Sequence, residues 1–326
     1  MIEENNKNSE ELARELEARE RQVESNDNDV RKMEESINRN GLGSINMDKF
    51  KPDTAIAPDL ALGWHEVPSD SLPSGGRFYP TDMVLKIRAA KVAEIRHFST
   101  IDENSILDVD DKLNAIVESC TMVSSKTSRV SYKDICEEDR FILILSIRDL
   151  TFPEPENSLK VDFTSKSGNT QEVEIKREYF DYFRIPEEVE RYYDAQARGY
   201  VIRTKSYGEI FMRPPSIGVM QEITKYIKER RDKEQNIDQS LIQIAPYVAT
   251  DWRRLNQKRL FELEVEMNGW SNGKFLLLYK LAEKVKVGIK PELIVTIEDE
   301  EASIPINFRD GIKSLFIVQD LSGELL

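Results

Sequence analysis

Apolar residues change their spacing several times along this chain, and each change marks an element. The first 40 residues are polar and rich in Glu and Asn, yet Leu16, Val23, Val30 and Ile37 recur every seven residues. Leu12 and Met33 fall at the companion heptad position, which Arg19 and Asn26 spoil. That is half of a coiled-coil seam. Ser25-Asn26-Asp27-Asn28-Asp29, all weak helix formers, interrupts it. The segment reads either as a solvated arm, partly helical or disordered, or as a strip that zips onto a partner helix. Between 40 and 70, Gly41, Gly43, Pro52, Pro58, Gly63 and Pro68 indicate a linker. Within it Leu60, Leu62 and Trp64 are candidates for a partner's groove, or for local packing.

The body opens with Leu72-Pro73-Ser74-Gly75-Gly76-Arg77-Phe78-Tyr79-Pro80. Two prolines fix φ at its ends, the glycine pair permits positive φ, and the two aromatics can pack beneath the turn. A strand follows over Met83–Arg88, then a helix of about ten residues with Val92, Ile95, Arg96 and Phe98 on one side. Asp110-Asp111 leads into a second helix, where Leu113, Ile116, Val117 and Cys120 stand at i, i+3, i+4 and i+7. The acidic run Glu137-Glu138-Asp139 suits a helix start, so Arg140–Arg148 reads as a buried helix. Phe141, Ile144, Leu145 and Arg148 would share one face, with Asp139 or Asp149 as the carboxylate partner of Arg148. After Pro153 and Pro155 the period becomes two: Leu159, Val161 and Phe163, a turn at Ser167-Gly168-Asn169, then Val173 and Ile175. This is a β-hairpin. Glu187–Tyr193 reads as a short polar helix.

From about residue 200 the same order returns. Ile210–Arg213 matches Leu85–Arg88, and Leu241, Ile244 and Ala245 stand where Leu113, Ile116 and Val117 stood. Phe275–Leu278 echoes Phe141–Ile144, and Leu293, Val295 and Ile297 repeat the alternation before a return strand at Ile304–Phe308. The expected fold is α+β, with two duplicated halves of strand, helices and hairpin at 70–199 and 200–326, preceded by the arm and linker of 1–69.

Charge narrows the partners. Charged residues make up 33% of the 326, with a formal net charge of -14, which repels nucleic acid and anionic lipid. Cys120 and Cys136 lie far apart and the chain has two histidines, so neither a structural zinc site nor a disulfide scaffold is expected. The acidic, polar start Met1–Asn6 gives no expectation of a secretory signal, and no apolar run approaches the roughly 20 residues of a membrane span. Asp110-Asp111 and Glu298–Glu301 read as solvated acidic turns, because no histidine, nucleophile or Gly-rich ligand loop accompanies them. His65 and His97 have no catalytic companion, and Cys136 at a helix head is opposed by the acids beside it. Lys225, Lys228, Arg230, Arg231 and Lys233 with Tyr226 make a basic helix face, either solvated or matched to an acidic partner or to the chain's own acidic arm. No catalytic residue, cofactor or metal is expected.

The turn gains meaning from the strand and helix behind it. Leu-Pro-Ser-x-Gly-x-Phe-Tyr ahead of an apolar strand ending in Arg is carried here by Leu72, Pro73, Ser74, Gly76, Phe78, Tyr79 and Arg88. It resembles the baseplate hub assembly proteins of T4-like contractile-tailed phages. Their second block, an Asp-Arg pair leading an apolar helix with a later Arg, is matched by Asp139, Arg140 and Arg148, and their hairpin by Leu159–Ile175. Where relatives often carry Cys-x-x-Cys this chain has Asp162, Phe163, Thr164 and Ser165, and Asp149-Leu150-Thr151 replaces a small-residue turn. The resemblance, over residues 70–180, implies a non-enzymatic protein of the phage tail. It would bind other hub or spike proteins, as a transient factor in the host cytoplasm or as a virion component. Phe78, Tyr79, Trp252 and Trp270 would serve as hydrophobic anchors. A tail-tube chaperone binding the tape measure protein is the alternative, and an enzyme with an unrecognised site is the rival of another class.

Overall fold

The computed structural model describes residues 63–154, 157–164, 170–238, 242–297, 300–308 and 311–316. The half-seam of Leu16, Val23, Val30 and Ile37, the candidates Leu60 and Leu62, and the hairpin turn Ser167–Asn169 lie outside the described residues. The fold is mixed α+β, built from small antiparallel sheets and helices.

Strand β1 (His65–Glu66) and strand β3 (Thr121–Ser124) flank β2 (Val84–Ile87), the strand expected after the turn. Between β2 and β3 run α1 (Val92–Ser99) and α2 (Ile106–Cys120). Helix α2 starts a turn earlier than its apolar spacing suggests, because Ser105 accepts a hydrogen bond from the Asp108 N–H and caps it. Helix α3 (Arg140–Thr151) is the centre of the core, and its burial departs from the one-sided face expected of it: Ile142 through Arg148 are all buried. A helix that is apolar on every side belongs inside.

The alternating segment forms the hairpin β4 (Lys160–Thr164) and β5 (Thr170–Glu174), in register Val161 to Val173. After β6 (Phe180–Tyr182) and the short α4 (Glu187–Glu190) comes a three-stranded sheet of β7 (Tyr193–Asp194), β8 (Gly199–Thr204) and β9 (Gly208–Met212). Helices α5 (Ile217–Asp232), α6 (Ala245–Val248), α7 (Gln257–Asn268) and α8 (Asn272–Lys284) follow. Side chains of Ser216, Asn256 and Ser271 cap α5, α7 and α8 in the same manner as Ser105. The chain then forms β10 (Ile289–Ile297) and β11 (Glu300–Pro305).

In each half a strand is followed by helices and a hairpin, but β3 stands between the helices of the first half alone, and the pairing differs. In the first half β2 pairs with the strand after its helices; in the second β9 pairs with the strand before them. Strand β10 takes β6 as its second neighbour, through Leu293 opposite Phe180 and Ile289 opposite Tyr182, whereas β4–β5 stays a two-stranded ribbon. Among the described residues no helix is long and apolar enough to cross a membrane.

Candidate functional site

The two sequence blocks 60 residues apart converge on one carboxylate. Asp139 is fully buried at the head of α3. Its Oδ1 accepts the Ser74 N–H at 2.8 Å, and its Oδ2 accepts the Ser74 hydroxyl at 2.5 Å and the Tyr79 hydroxyl. The Tyr79 oxygen in turn accepts the Cys136 N–H at 3.0 Å. Burial raises the Asp139 carboxyl above its ordinary range, against the pull of the Ser74 and Tyr79 hydrogen bonds, and burial also raises the Tyr79 phenol well above its own.

The loop can reach in because of its backbone. Gly75 and Gly76 both have positive φ, 60° and 70°. A methyl on Gly76 would lie 2.7 Å from the Ser69 Cβ, so this glycine answers to both conformation and space. Leu72 and Phe78 are buried beside it, and Phe78 meets the rings of Tyr193 and Tyr200 at centroid distances of 6.3 and 6.2 Å. Pro73 is half-buried. Arg77, between them, chelates Glu190 with both guanidinium nitrogens and lies 4.0 Å over the Tyr193 ring.

Each remaining motif arginine is occupied. Arg140 reaches Asp110 at 2.5 Å, Asn114 at 2.8 Å and Glu137 at 2.6 Å. Arg88 forks onto Glu94 and donates to the Ser119 carbonyl, with Trp64 half-buried and its ring 5.6 Å away. Arg148 corrects an expectation. Its guanidinium donates to the Asn157 carbonyl rather than to Asp139, which is engaged by the turn, or to Asp149, which faces Arg177 at 4.0 Å. Burial lowers its pKa and leaves its Nε without a partner among the described residues.

Phe78 and Tyr79, with relative exposures of 2% and 4%, are spent inside the core and present nothing to a partner. Trp252 is half-buried and donates to Asp134 at 3.0 Å, and Trp270 lies under Lys274 at 4.4 Å. Cys136 is buried, and burial raises its thiol well above the usual value. Burial likewise pushes Cys120 up to about 12. His65 and His97 are exposed. On α5, Lys225, Lys228 and Arg231 face solvent, as does Lys233 just past its end, while Tyr226 and Arg230 turn in to Glu264 at 2.7 and 2.9 Å. Among the described residues no group of His, Cys, Asp and Glu is arranged to hold a metal ion.

Sequence reasoning missed one feature beside Asp139. A cavity of about 310 Å³ has an apolar lining of Leu113, Phe141, Ile144, Ile289, Pro291 and Ile306, and a polar one of Glu137, Glu138, Arg140 and Lys290. Burial raises the Glu137 carboxyl and pushes that of Glu138 up to about 7. Glu138 packs over Gly288, where a methyl would sit 2.6 Å from its Oε2. The acidic run signalled a helix start; only packing against β10, some 150 residues on, turns it into a wall of a cavity. No protein-family model, curated protein or solved structure matches this chain.

Proposed function

We propose that this chain is a baseplate hub protein, or a hub assembly factor, of a T4-like contractile-tailed phage, acting by protein–protein binding without catalysis. The observation that carries this reading is the contact between the two blocks on which the resemblance rests. Ser74 and Tyr79 of the first close on Asp139 of the second, so these residues form one structural knot. With the motif consumed in the core, recognition falls to the surface. Phe261 and Val265, one turn apart on α7, are 53% and 55% exposed, and Leu276 on α8 is 45% exposed. A net charge of -14 favours protein partners over nucleic acid.

The partners are other hub or spike proteins of the baseplate, met in the host cytoplasm during assembly. Capture of a tagged chain from infected cells tests this. Recovery of hub or spike proteins is expected. Recovery of the tape measure protein alone would replace the reading with that of a tail-tube chaperone, and recovery of no tail protein would overturn it. Mass spectrometry of mature particles against assembly intermediates then decides whether the chain stays in the virion.

A further inference from the structure

The cavity beside Asp139 combines features that the buried knot does not use. Its polar end is a pair of adjacent carboxyls, Glu137 and Glu138, on one 3₁₀ turn (Glu137–Asp139), while most of the rest of its lining is apolar. Glu137 Oε1 accepts from the Arg140 guanidinium at 2.6 Å, but its Oε2 is buried and has no hydrogen-bond partner among the described residues. A buried acceptor without a donor carries a cost of about 1–3 kcal/mol, and more when charged. It marks a place where a donor is wanted.

The charge balance gives the sign of that donor. Arg140 is shared among Asp110, Asn114 and Glu137. Lys290, on β10, is held by Asp181 at 2.5 Å, and Lys286 by Glu283 at 2.8 Å. Asp139 faces the other way, onto Ser74 and Tyr79. Three carboxyls, those of Asp110, Glu137 and Glu138, thus stand against the shared guanidinium of Arg140 and the pull of Lys286 on Glu138, an excess of acid that favours a cationic guest. The walls exclude a hydrated ion: Leu113, Phe141, Ile289 and Ile306 offer no oxygen ligands to a metal but suit methylenes. An aliphatic stem with an ammonium head satisfies both parts, as lysine does when its chain lies along apolar surface and its head reaches a polar partner.

We propose that this cavity binds the side chain of a lysine presented by a partner polypeptide, with its methylenes on Phe141, Ile289 and Ile306 and its ammonium on Glu137 and Glu138. A cavity of about 310 Å³ is at the small end of ligand sites, the right scale for one side chain. Gly288, having no Cβ, leaves room for the Glu138 carboxyl, whose Oε2 would stand 2.6 Å from a methyl there. Which polypeptide supplies the lysine rests on the binding role proposed above; the preference for an alkylammonium does not.

The test therefore uses small probes on the full chain. Saturation-transfer NMR is run with Nα-acetyl-lysine methylamide and with the norleucine analogue, which keeps the stem and lacks the charge. Transfer to the lysine methylenes is expected, with affinity for norleucine about tenfold weaker. Binding should weaken from pH 8 to pH 5.5 as the Glu138 carboxyl takes up its proton. Glu137→Gln should remove the discrimination, and Ile306→Trp, which fills the cavity and leaves both acids in place, should remove binding by both probes. Equal binding of the two probes, a signal unchanged by Ile306→Trp, or displacement of the lysine probe by millimolar calcium would each overturn the proposal. Should Glu137→Gln fail to fold, the probe pair and Ile306→Trp still decide it. Failure here would leave the hub reading intact, since that reading stands on partner capture.

Discussion

One oxygen, Asp139 Oδ2, receives two hydroxyl donors, and the consequences of that sharing are measurable. Asp139→Ala leaves the Ser74 N–H, the Ser74 hydroxyl and the Tyr79 hydroxyl without their acceptor inside the core, and should cost about 3–5 kcal/mol. Tyr79→Phe removes one of those donors but strands the Cys136 N–H, at about 1–3 kcal/mol. Because the two residues belong to one network, the double variant should fall well short of the sum. Urea midpoints at constant slope measure all three; additive losses would mean the network is not coupled. Glu138 carries a different signature. Burial raises its folded pKa to about 7, above the unfolded value near 4.5, so the folded chain holds a proton that the unfolded chain has lost between those values. Its contribution is present in full below about 4.5 and disappears as the pH climbs through 7. Stability measured from pH 5 to pH 8 should therefore fall by up to about 3 kcal/mol more in the native chain than in Glu138→Gln. The carboxyl of Glu94, lowered to about 2 chiefly by its hydrogen bond to Arg88, has the opposite sign but acts below this window, being lost as the pH falls through 4.5 to 2. A flat difference between the two chains would show that the Glu138 carboxyl is solvated.

At the scale of an element, the turn separates two glycines that look alike in sequence. Gly75 and Gly76 both have positive φ, but a methyl on Gly75 meets only the Arg77 side chain at 3.8 Å, while one on Gly76 would lie 2.7 Å from Ser69 Cβ and 3.3 Å from its carbonyl carbon. Gly75→Ala should cost about 1–2 kcal/mol, the backbone term alone, and Gly75→Asn less, since Asn tolerates this conformation. Gly76→Ala should cost more than either, and thermal midpoints of the three variants give the order. The turn, the strand β2, both early helices, the buried α3 and the β4–β5 hairpin were legible because their signals are local: proline and glycine positions, spacing of apolar residues, acids at a helix start. What escaped is of another kind. Asp110 and Asn114, at i and i+4 on α2, are the polar gap in its apolar stripe and could have been read as a site for an inward-facing arginine; Arg140 fills it. Nothing local says that Tyr79 will find Asp139, that Arg148 will end on the Asn157 carbonyl, or that β10 will pair with β6. Those are outcomes of packing between segments 9 to 113 residues apart.

For the body as a whole, the question is whether the two halves unfold as one. The links between them are numerous in kind and buried in position. Backbone hydrogen bonds join Ile217 N to Ile135 O at 2.8 Å and Glu137 N to Pro215 O at 2.9 Å. Arg253 clasps Asp134 with two bonds of 2.6 and 2.7 Å, and Trp252 donates to the same carboxylate. Strand β10 of the second half pairs with β6 of the first. Several of these links anchor residues of the Asp139 knot or its immediate neighbours, so separating the halves would uncover Ile135, Cys136 and Ile217, all at most 1% exposed. That surface has no stable exposed state in water. Far-UV circular dichroism and tryptophan fluorescence should therefore report the same midpoint, since Trp252 and Trp270 both lie in the second half while helices of both halves contribute to the dichroism, and the two signals would separate if the halves melted independently. Gly218→Ala sharpens the test. The new Cβ would sit 2.6 Å from Trp252 Cγ and 2.9 Å from Lys133 Cβ, wedging the seam between the halves while touching neither interior. In a coupled body the strain, about 1–3 kcal/mol, lowers the one midpoint seen by both probes. In an uncoupled one it would leave the melting of each half unchanged and split the transition, and two separated midpoints in this variant would establish that the halves are independent.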